Sequence, residues 1–214
     1  LYGTPGVGIG TYARADGIHL RIGAKAATRE EAWARIHPVE QAMERIFGAA
    51  IWGRDEDTLE GYIAAQMHDR KTTLAVMESC TGGLMSSTLT DVPGSSDYFA
   101  AGFVTYQTQQ KIDLGVPGDV IVQFGPVSPE TAREMALAAQ RKAGADYGVG
   151  ITGVAGPDPQ DDIPPGTVHI AVATPEGGVH SISTSMNQGR QAVKRRAVTT
   201  SLLLLRRALL GELR

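Results

Sequence analysis

The apolar run Leu74-Ala75-Val76-Met77 ends at Glu78 and passes into Ser79-Cys80-Thr81-Gly82-Gly83, after which the stretch from Leu84 to Val92 is apolar and small with helical character. Such a segment spells a buried strand, a tight turn and a helix, which places the chain among α/β proteins. Gly82 and Gly83 allow a sharp turn and a close approach to a ligand. The first turn of the helix that follows offers unpaired N–H groups and the positive end of its dipole. An ordinary strand-to-helix connection also needs glycine, and Ser and Thr serve there as plain caps, so the segment alone does not mark a site.

A second segment raises it. Gly102-Phe103-Val104-Thr105-Tyr106 reads as a strand and its end, and Gln107 to Leu114 has helical spacing and carries Lys111. Ser79, Tyr106 and Lys111 together are the ingredients of a Ser-Lys hydrolase. A serine hydroxyl is a weak nucleophile, and a lysine serves as its base when burial lowers its pKa toward neutrality. A tyrosine hydroxyl can relay a proton or hold serine and amine in line, and the N–H groups of the Gly82-Gly83 turn can receive an oxyanion. Cys80 is a competing nucleophile. Only one of two adjacent turn residues can face the base, and a small free cysteine is more often a buried hydrophobe, so serine is the preferred reading.

The motifs Glu78-Ser79-Cys80-Thr81-Gly82-Gly83, Pro93-Gly94-Ser95-Ser96, Gly102-Phe103-Val104-Thr105-Tyr106 with Lys111, Gly125-Pro126-Val127-Ser128 and Gly150-Ile151-Thr152-Gly153-Val154-Ala155-Gly156-Pro157 follow one another in fixed order. In order and spacing they resemble the carboxy-terminal domain of the CinA (competence/damage-inducible) family over roughly residues 55 to 210. That resemblance implies a nicotinamide-nucleotide amidase, which hydrolyses the carboxamide of nicotinamide mononucleotide to nicotinic acid mononucleotide and ammonia. The family's nucleophile, tyrosine and lysine fall on Ser79, Tyr106 and Lys111, with no metal and no cofactor. Thr81, Gly82, Gly83, Gly94, Ser95, Thr152, Gly153, Ala155 and Gly156 are the implied substrate-binding positions, and the resemblance also implies a homodimer. Gln107, Gln109, Gln110 and Pro126 depart from the common family pattern, as does the acid- and proline-rich loop from Pro157 to Pro165. A nucleotide-binding or regulatory module without turnover is the alternative.

The remainder fits an α/β enzyme, expected as a three-layer α/β/α domain with a mainly mixed sheet over residues 55–214, preceded by a small α+β unit over 1–54. With 214 residues, 42% of them hydrophobic, and a net charge of −3, the chain can bury a core and shows no basic excess for nucleic acid. Its longest purely apolar run, Leu202 to Leu205, is far short of the ~20 residues of a membrane span. The lone cysteine forbids an internal disulfide, as in a reducing cytoplasm.

In the first unit Ile18, Leu20 and Ile22 alternate with His19 and Arg21 as in a half-buried strand. Thr28 with Glu31 makes a capping box for a helix carrying Ala32, Ile36, Val39, Met43 and Ile46. Pro38 predicts a kink or break there, and Ala49 to Trp52 reads as a further short strand. The layout resembles the KH-like middle region of full-length CinA proteins. Gly3, Gly6, Gly8 and Gly10 lie ahead of the first clear strand, so no GXXG loop stands between helices and RNA binding is not expected. The glycine-rich start reads as a flexible linker remnant, which by resemblance would follow a molybdopterin-binding-like pyrophosphatase unit.

Further on, Ser128 with Pro129 opens a helix through Ala143, Tyr147 to Thr152 is strand-like, and Val168 to Thr174 and Val179 to Ser185 form a hairpin through Pro175-Glu176-Gly177-Gly178. His169 and His180 read as structural or surface residues. The last helix begins near Gly189-Arg190. Basic residues at a helix start oppose its dipole, so Arg190 is assigned to the mononucleotide phosphate, while Lys194, Arg195 and Arg196 read as a solvated or intersubunit face.

Overall fold

The computed structural model describes residues 5–14, 17–186 and 189–213. Gly3 lies outside the described residues. The chain divides into two compact units, one running to Asp57 and the other from Thr58 onward.

In the first unit β1 (Val7–Ala13) pairs antiparallel with β2 (Ile18–Ala24), in register from Val7 opposite Ala24 to Ala13 opposite Ile18. Gly8 and Gly10 therefore belong to a strand, against the linker reading: Val7 and Ile9 supply the alternation, and the glycines occupy the positions between them. Thr28 caps α1 (Arg29–Phe47), accepting from the Glu31 N–H at 3.2 Å, and Glu31 reaches back to the Ala27 N–H at 3.1 Å. The helix passes through Pro38 without the expected break, with Val39 and Met43 buried on the next turns. After Gly48, at φ 47°, the chain makes a 3-10 turn, Gly48–Ala50, where a strand was expected. The Ile51 N–H closes that turn on Gly48 O.

The second unit is a mixed five-stranded sheet in the order β4-β3-β5-β6-β7. The elements are α2 (Leu59–Arg70), β3 (Leu74–Glu78), α3 (Leu84–Thr90), β4 (Phe99–Val104), α4 (Thr108–Asp113), α5 (Gly118–Phe124), α6 (Pro129–Ala143), β5 (Tyr147–Gly153), β6 (Thr167–Ala173), β7 (Val179–Ser185) and α7 (Arg190–Leu209). β3 runs parallel to both β4 and β5, while β6 is antiparallel to β5 and to β7. The ends of β3, β4, β5 and β7 thus share one edge of the sheet, the usual place for a site in an α/β fold.

Strand alternation assigns the faces. Ala75 and Met77 pack with Met135, Ala138 and Ala139 of α6 and with Val116 and Ile121, while Ala132 and Ala136 of α6 meet Ala171 and Ala173. α6 lies almost flush on the sheet because β5 has no side chain beneath it. A Cβ at Gly148 would sit 2.0 Å from Ala136 O, and one at Gly150 would sit 2.2 Å from Ala132 O. α2, α3 and α7 pack together on the other face, where Val76, Val149, Ile151 and Ile170 are fully buried and α7 lies along β6 and β5. The result is the three-layer α/β/α arrangement with a mixed sheet that the sequence predicts. Among the described residues no helix is long and apolar enough to cross a membrane.

Candidate active site

β3 has its residues buried end to end and sits inside the sheet, so the residue that follows it is delivered to a fixed point. That residue is Ser79. Its N–H extends the ladder to Ile151 O at 2.8 Å, and its carbonyl accepts from the Gly82 N–H at 3.1 Å, closing a turn whose outgoing glycines have φ of 62° and 91°. Left-handed backbone of this kind favours glycine at both positions.

The donors of that turn are largely engaged by the protein itself. The Glu78 carboxylate is fully buried and accepts from the N–H groups of Gly83 and Met85, each at 3.1 Å, from the Ser86 N–H at 2.8 Å and from the Ser86 hydroxyl at 2.7 Å. It fills the amino end of α3. The expectation that the N–H groups of Gly82 and Gly83 receive an oxyanion is therefore overturned, since one donates to Ser79 O and the other to Glu78. Among the described residues neither the Cys80 nor the Thr81 N–H donates to a backbone carbonyl, and of the two residues only Cys80 lines the cavity. A motif reading sees the carboxyl only as the residue before the serine.

Lys111 comes from α4 and is buried, 2% exposed. Its Nζ lies 3.1 Å from Ser79 Oγ and donates to Thr105 O at 2.8 Å. Thr105 is itself anchored, its N–H donating to Glu78 O at 2.7 Å. Burial lowers the Lys111 pKa to about 8, against a smaller opposing pull from Cys80. A neutral amine that gives one N–H to Thr105 O keeps its lone pair for the serine proton, which is the arrangement a general base requires. Cys80 lies beside them, 4% exposed, and burial pushes its thiol up to about 12. A thiol held that far from ionisation is a poor nucleophile.

Tyr106 is on the same rim but in different company. Its ring is 56% exposed, and its hydroxyl oxygen accepts from Arg190 Nη2 at 2.5 Å. Arg190 Nη1 donates to Gly156 O at 2.8 Å. One guanidinium thus ties the end of β4 to the loop after β5. Among the described residues no hydrogen bond joins the Tyr106 hydroxyl to Ser79 or Lys111.

These groups border a cavity of about 450 Å³ lined by Ser79, Lys111, Tyr106, Gly153, Ala155 and Arg190, among others. Gly156 also lines it. Thr152 does not: it is buried, and its hydroxyl donates to Pro126 O at 2.8 Å, fixing the loop whose Pro126 and Val127 do line the cavity. Thr81, Gly82 and Gly83 lie behind the turn, outside the lining. Gly94 and Ser95 are placed away from the site altogether. They precede β4, whose first residue pairs with Leu74 at the start of β3, so parallel strand direction carries them to the opposite edge of the sheet from Ser79. The Gly94 turn faces the His68 ring instead.

Sequence reasoning overlooked several neighbours. Asp158 and Gln160, from the acid- and proline-rich loop, line the cavity, and so does Thr108. Lys194, read as surface, sits one helical turn after Arg190 with its Nζ 3.6 Å from where a Gly82 Cβ would be. A helical spacing of four from Arg190 was the available signal. His169 pairs across the hairpin with Ser183, Nδ1 to Oγ 2.8 Å. No cluster of three or more His, Cys, Asp or Glu side chains among the described residues has the geometry to hold a metal ion.

Residues 56–209 match the family described as CinA C-terminal domain, and residues 3–53 match the damage-inducible protein CinA KH domain. A CinA-like protein of Frankia casuarinae is 44% identical over 193 residues, covering 90% of this chain and 44% of that protein. One of Synechococcus elongatus is 39% identical over 207 residues, covering 95% of this chain and 49% of that protein. The chain thus spans about half the length of these curated relatives. Among solved structures, competence/damage inducible protein CihA from Agrobacterium tumefaciens superposes with a TM-score of 0.68 at 34% identity, covering 74% of this chain and 98% of that one. A competence-damaged protein (CinA) superfamily protein from Escherichia coli does so at 0.66 and 29% identity, covering 75% and 97%.

Proposed function

Because the chain belongs to the CinA family, we propose that it is a nicotinamide-nucleotide amidase, hydrolysing the carboxamide of nicotinamide mononucleotide to nicotinic acid mononucleotide and ammonia. The observation that carries the reading is the Lys111 amine, buried, lowered to about 8 and 3.1 Å from the Ser79 hydroxyl.

In this mechanism neutral Lys111 takes the proton of Ser79 as Oγ attacks the carboxamide carbon. The developing oxyanion meets the turn at the N–H of Cys80, the residue after the nucleophile, which lines the cavity. Lys111 then returns its proton to the amide nitrogen, ammonia departs, and an acyl ester remains on Ser79. Water, deprotonated by the same amine, releases the carboxylate and restores the hydroxyl. At pH 7 a lysine with a pKa of about 8 is unprotonated in about one molecule in ten, enough to supply base without an external partner.

The test is an ammonia assay on the purified chain with nicotinamide mononucleotide, followed by mass spectrometry of the quenched reaction for an acyl adduct on Ser79. Ammonia release with a Ser79 adduct supports the reading. Binding of the nucleotide without any ammonia would replace it with the non-catalytic module.

A further inference from the structure

We infer that Arg190 is a positioning residue acting through Tyr106: its guanidinium occupies the phenol oxygen and thereby commits the phenol proton to the substrate oxygen in the cavity. This rests on the amidase reading and adds to it the part played by the Tyr106 and Arg190 pair.

A guanidinium has donors and no acceptor, so in the 2.5 Å contact between Arg190 Nη2 and the Tyr106 oxygen, Arg190 must donate. The Tyr106 proton then has to be spent elsewhere. Ser79 and Lys111 are already satisfied by one another and by Thr105 O, at 3.1 Å and 2.8 Å. No acceptor for the Tyr106 proton exists among the described residues, and Tyr106 lines the cavity. The residue is 56% exposed, so the proton goes to solvent until a ligand in the cavity supplies an acceptor.

The reaction needs a donor at that point. Glu78 and Ser79 O have consumed the N–H groups of Gly83 and Gly82, and Thr81 lies outside the cavity lining, so the oxyanion has only the Cys80 N–H from the turn. A phenol whose oxygen is already donated to by a cation is a stronger donor in its own right, because hydrogen bonds in series polarise one another. The second arm, Arg190 Nη1 to Gly156 O at 2.8 Å, fixes the guanidinium so that the first stays aimed. Tyr106 and Arg190 are thereby one device, although 84 positions apart in the chain. No proton is transferred. Tyr106 lends a hydrogen bond to the carbonyl oxygen as it gains charge and withdraws it when the carbonyl reforms.

This differs from a direct grip of Arg190 on the substrate phosphate in which quantity changes. Through Tyr106, Arg190→Ala lowers kcat about tenfold, the loss of one transition-state hydrogen bond, equally on nicotinamide mononucleotide and on its phosphate-free riboside. Gripping phosphate, it would raise KM for the mononucleotide and spare the riboside.

The experiment is a double-mutant cycle of Arg190→Ala and Tyr106→Phe, with kcat and KM measured on both substrates, alongside the 13C chemical shift of the Tyr106 Cζ in ring-labelled protein without substrate. The expected result is a Cζ shift that moves in Arg190→Ala, and an Arg190→Ala loss in kcat that falls from about tenfold to less than about twofold once Tyr106 is Phe. Arg190→Lys, which keeps charge but cannot span both partners, should recover only part of kcat. Losses that multiply in the double mutant, or a riboside rate untouched by Arg190→Ala, overturn the proposal. An unmoved Cζ shift overturns the clasp even in an active enzyme. A wild-type protein that binds the nucleotide and releases no ammonia, with the Cζ shift moving as expected, would instead locate the failure in the amidase reading.

Discussion

Lys111 Nζ and Ser79 Oγ lie 3.1 Å apart although 32 positions separate the residues, because parallel β3 and β4 end at the same sheet edge, where Ser79 follows the one and α4 the other. The serine is thus paired with a base that belongs to the protein interior.

Ser79→Ala should lower ammonia release by roughly a thousandfold or more, while nucleotide binding and thermal unfolding stay close to those of the wild type. Cys80→Ala should keep activity within about threefold, since a thiol pushed up to about 12 contributes no thiolate. Steady-state ammonia assays on the two variants decide between the neighbours. An inactive Cys80→Ala with an active Ser79→Ala would reverse the assignment.

Because the base must be unprotonated, kcat/KM should rise with pH, pass an inflection near about 8, and level off above it. Lys111→Arg should be as inactive as Lys111→Ala, as a guanidinium does not shed its proton. A pH–rate profile that falls between pH 7 and 9 would contradict Lys111 as the base.

The same lysine makes folding pH-dependent. Its pKa is lowered from 10.5 to about 8, so between those values the unfolded chain binds the proton and the folded chain does not. Stability from this group therefore increases as pH climbs from about 8 to 10.5, and the penalty, on the order of 3 kcal/mol, is fully present below about 8. Urea unfolding of wild type and Lys111→Met across this range should show the wild type gaining on the variant as pH rises. Parallel curves would mean that the amine is not desolvated in solution.

Glu78→Gln should cost about 3 kcal/mol in chemical denaturation, because an amide offers one acceptor oxygen where the carboxylate serves three N–H groups and a hydroxyl, and its NH2 would face buried donors. Activity should fall with it, since the Ser79 turn is held from this side. A variant of unchanged stability would show that the amino end of α3 finds other acceptors.

Local chemistry made much of this legible. The strand, turn and helix around Ser79, the Thr28 and Ser128 caps and the hairpin from Thr167 to Ser185 all have signals within a few residues, and the structure follows them. Gly8 and Gly10 hid β1 because glycine gives no β-propensity to read. Gly94 and Ser95 drew attention as a motif, yet a motif carries no information on which edge of the sheet a turn occupies. α2 carries Leu59, Ile63, Ala64 and Met67 at helical spacing, a local signal that the sequence reading passed over. The contact of Tyr106 with Arg190 depends on how β4 and α7 are brought together, which no short stretch of sequence records.

Glu78 decides what the amino end of α3 can hold. Its carboxylate is a resident anion beneath the nucleophile's own turn, seated where a helix amino end would otherwise welcome a phosphate. A substrate carrying a phosphate at one end and an uncharged amide at the other is repelled there at one end only. Lys194 sets its Nζ 3.6 Å from where a Gly82 Cβ would be, against this same turn, and the Arg190 guanidinium is already bound to Tyr106 and Gly156. A phosphate has therefore to find its donors elsewhere than at the turn that presents the nucleophile.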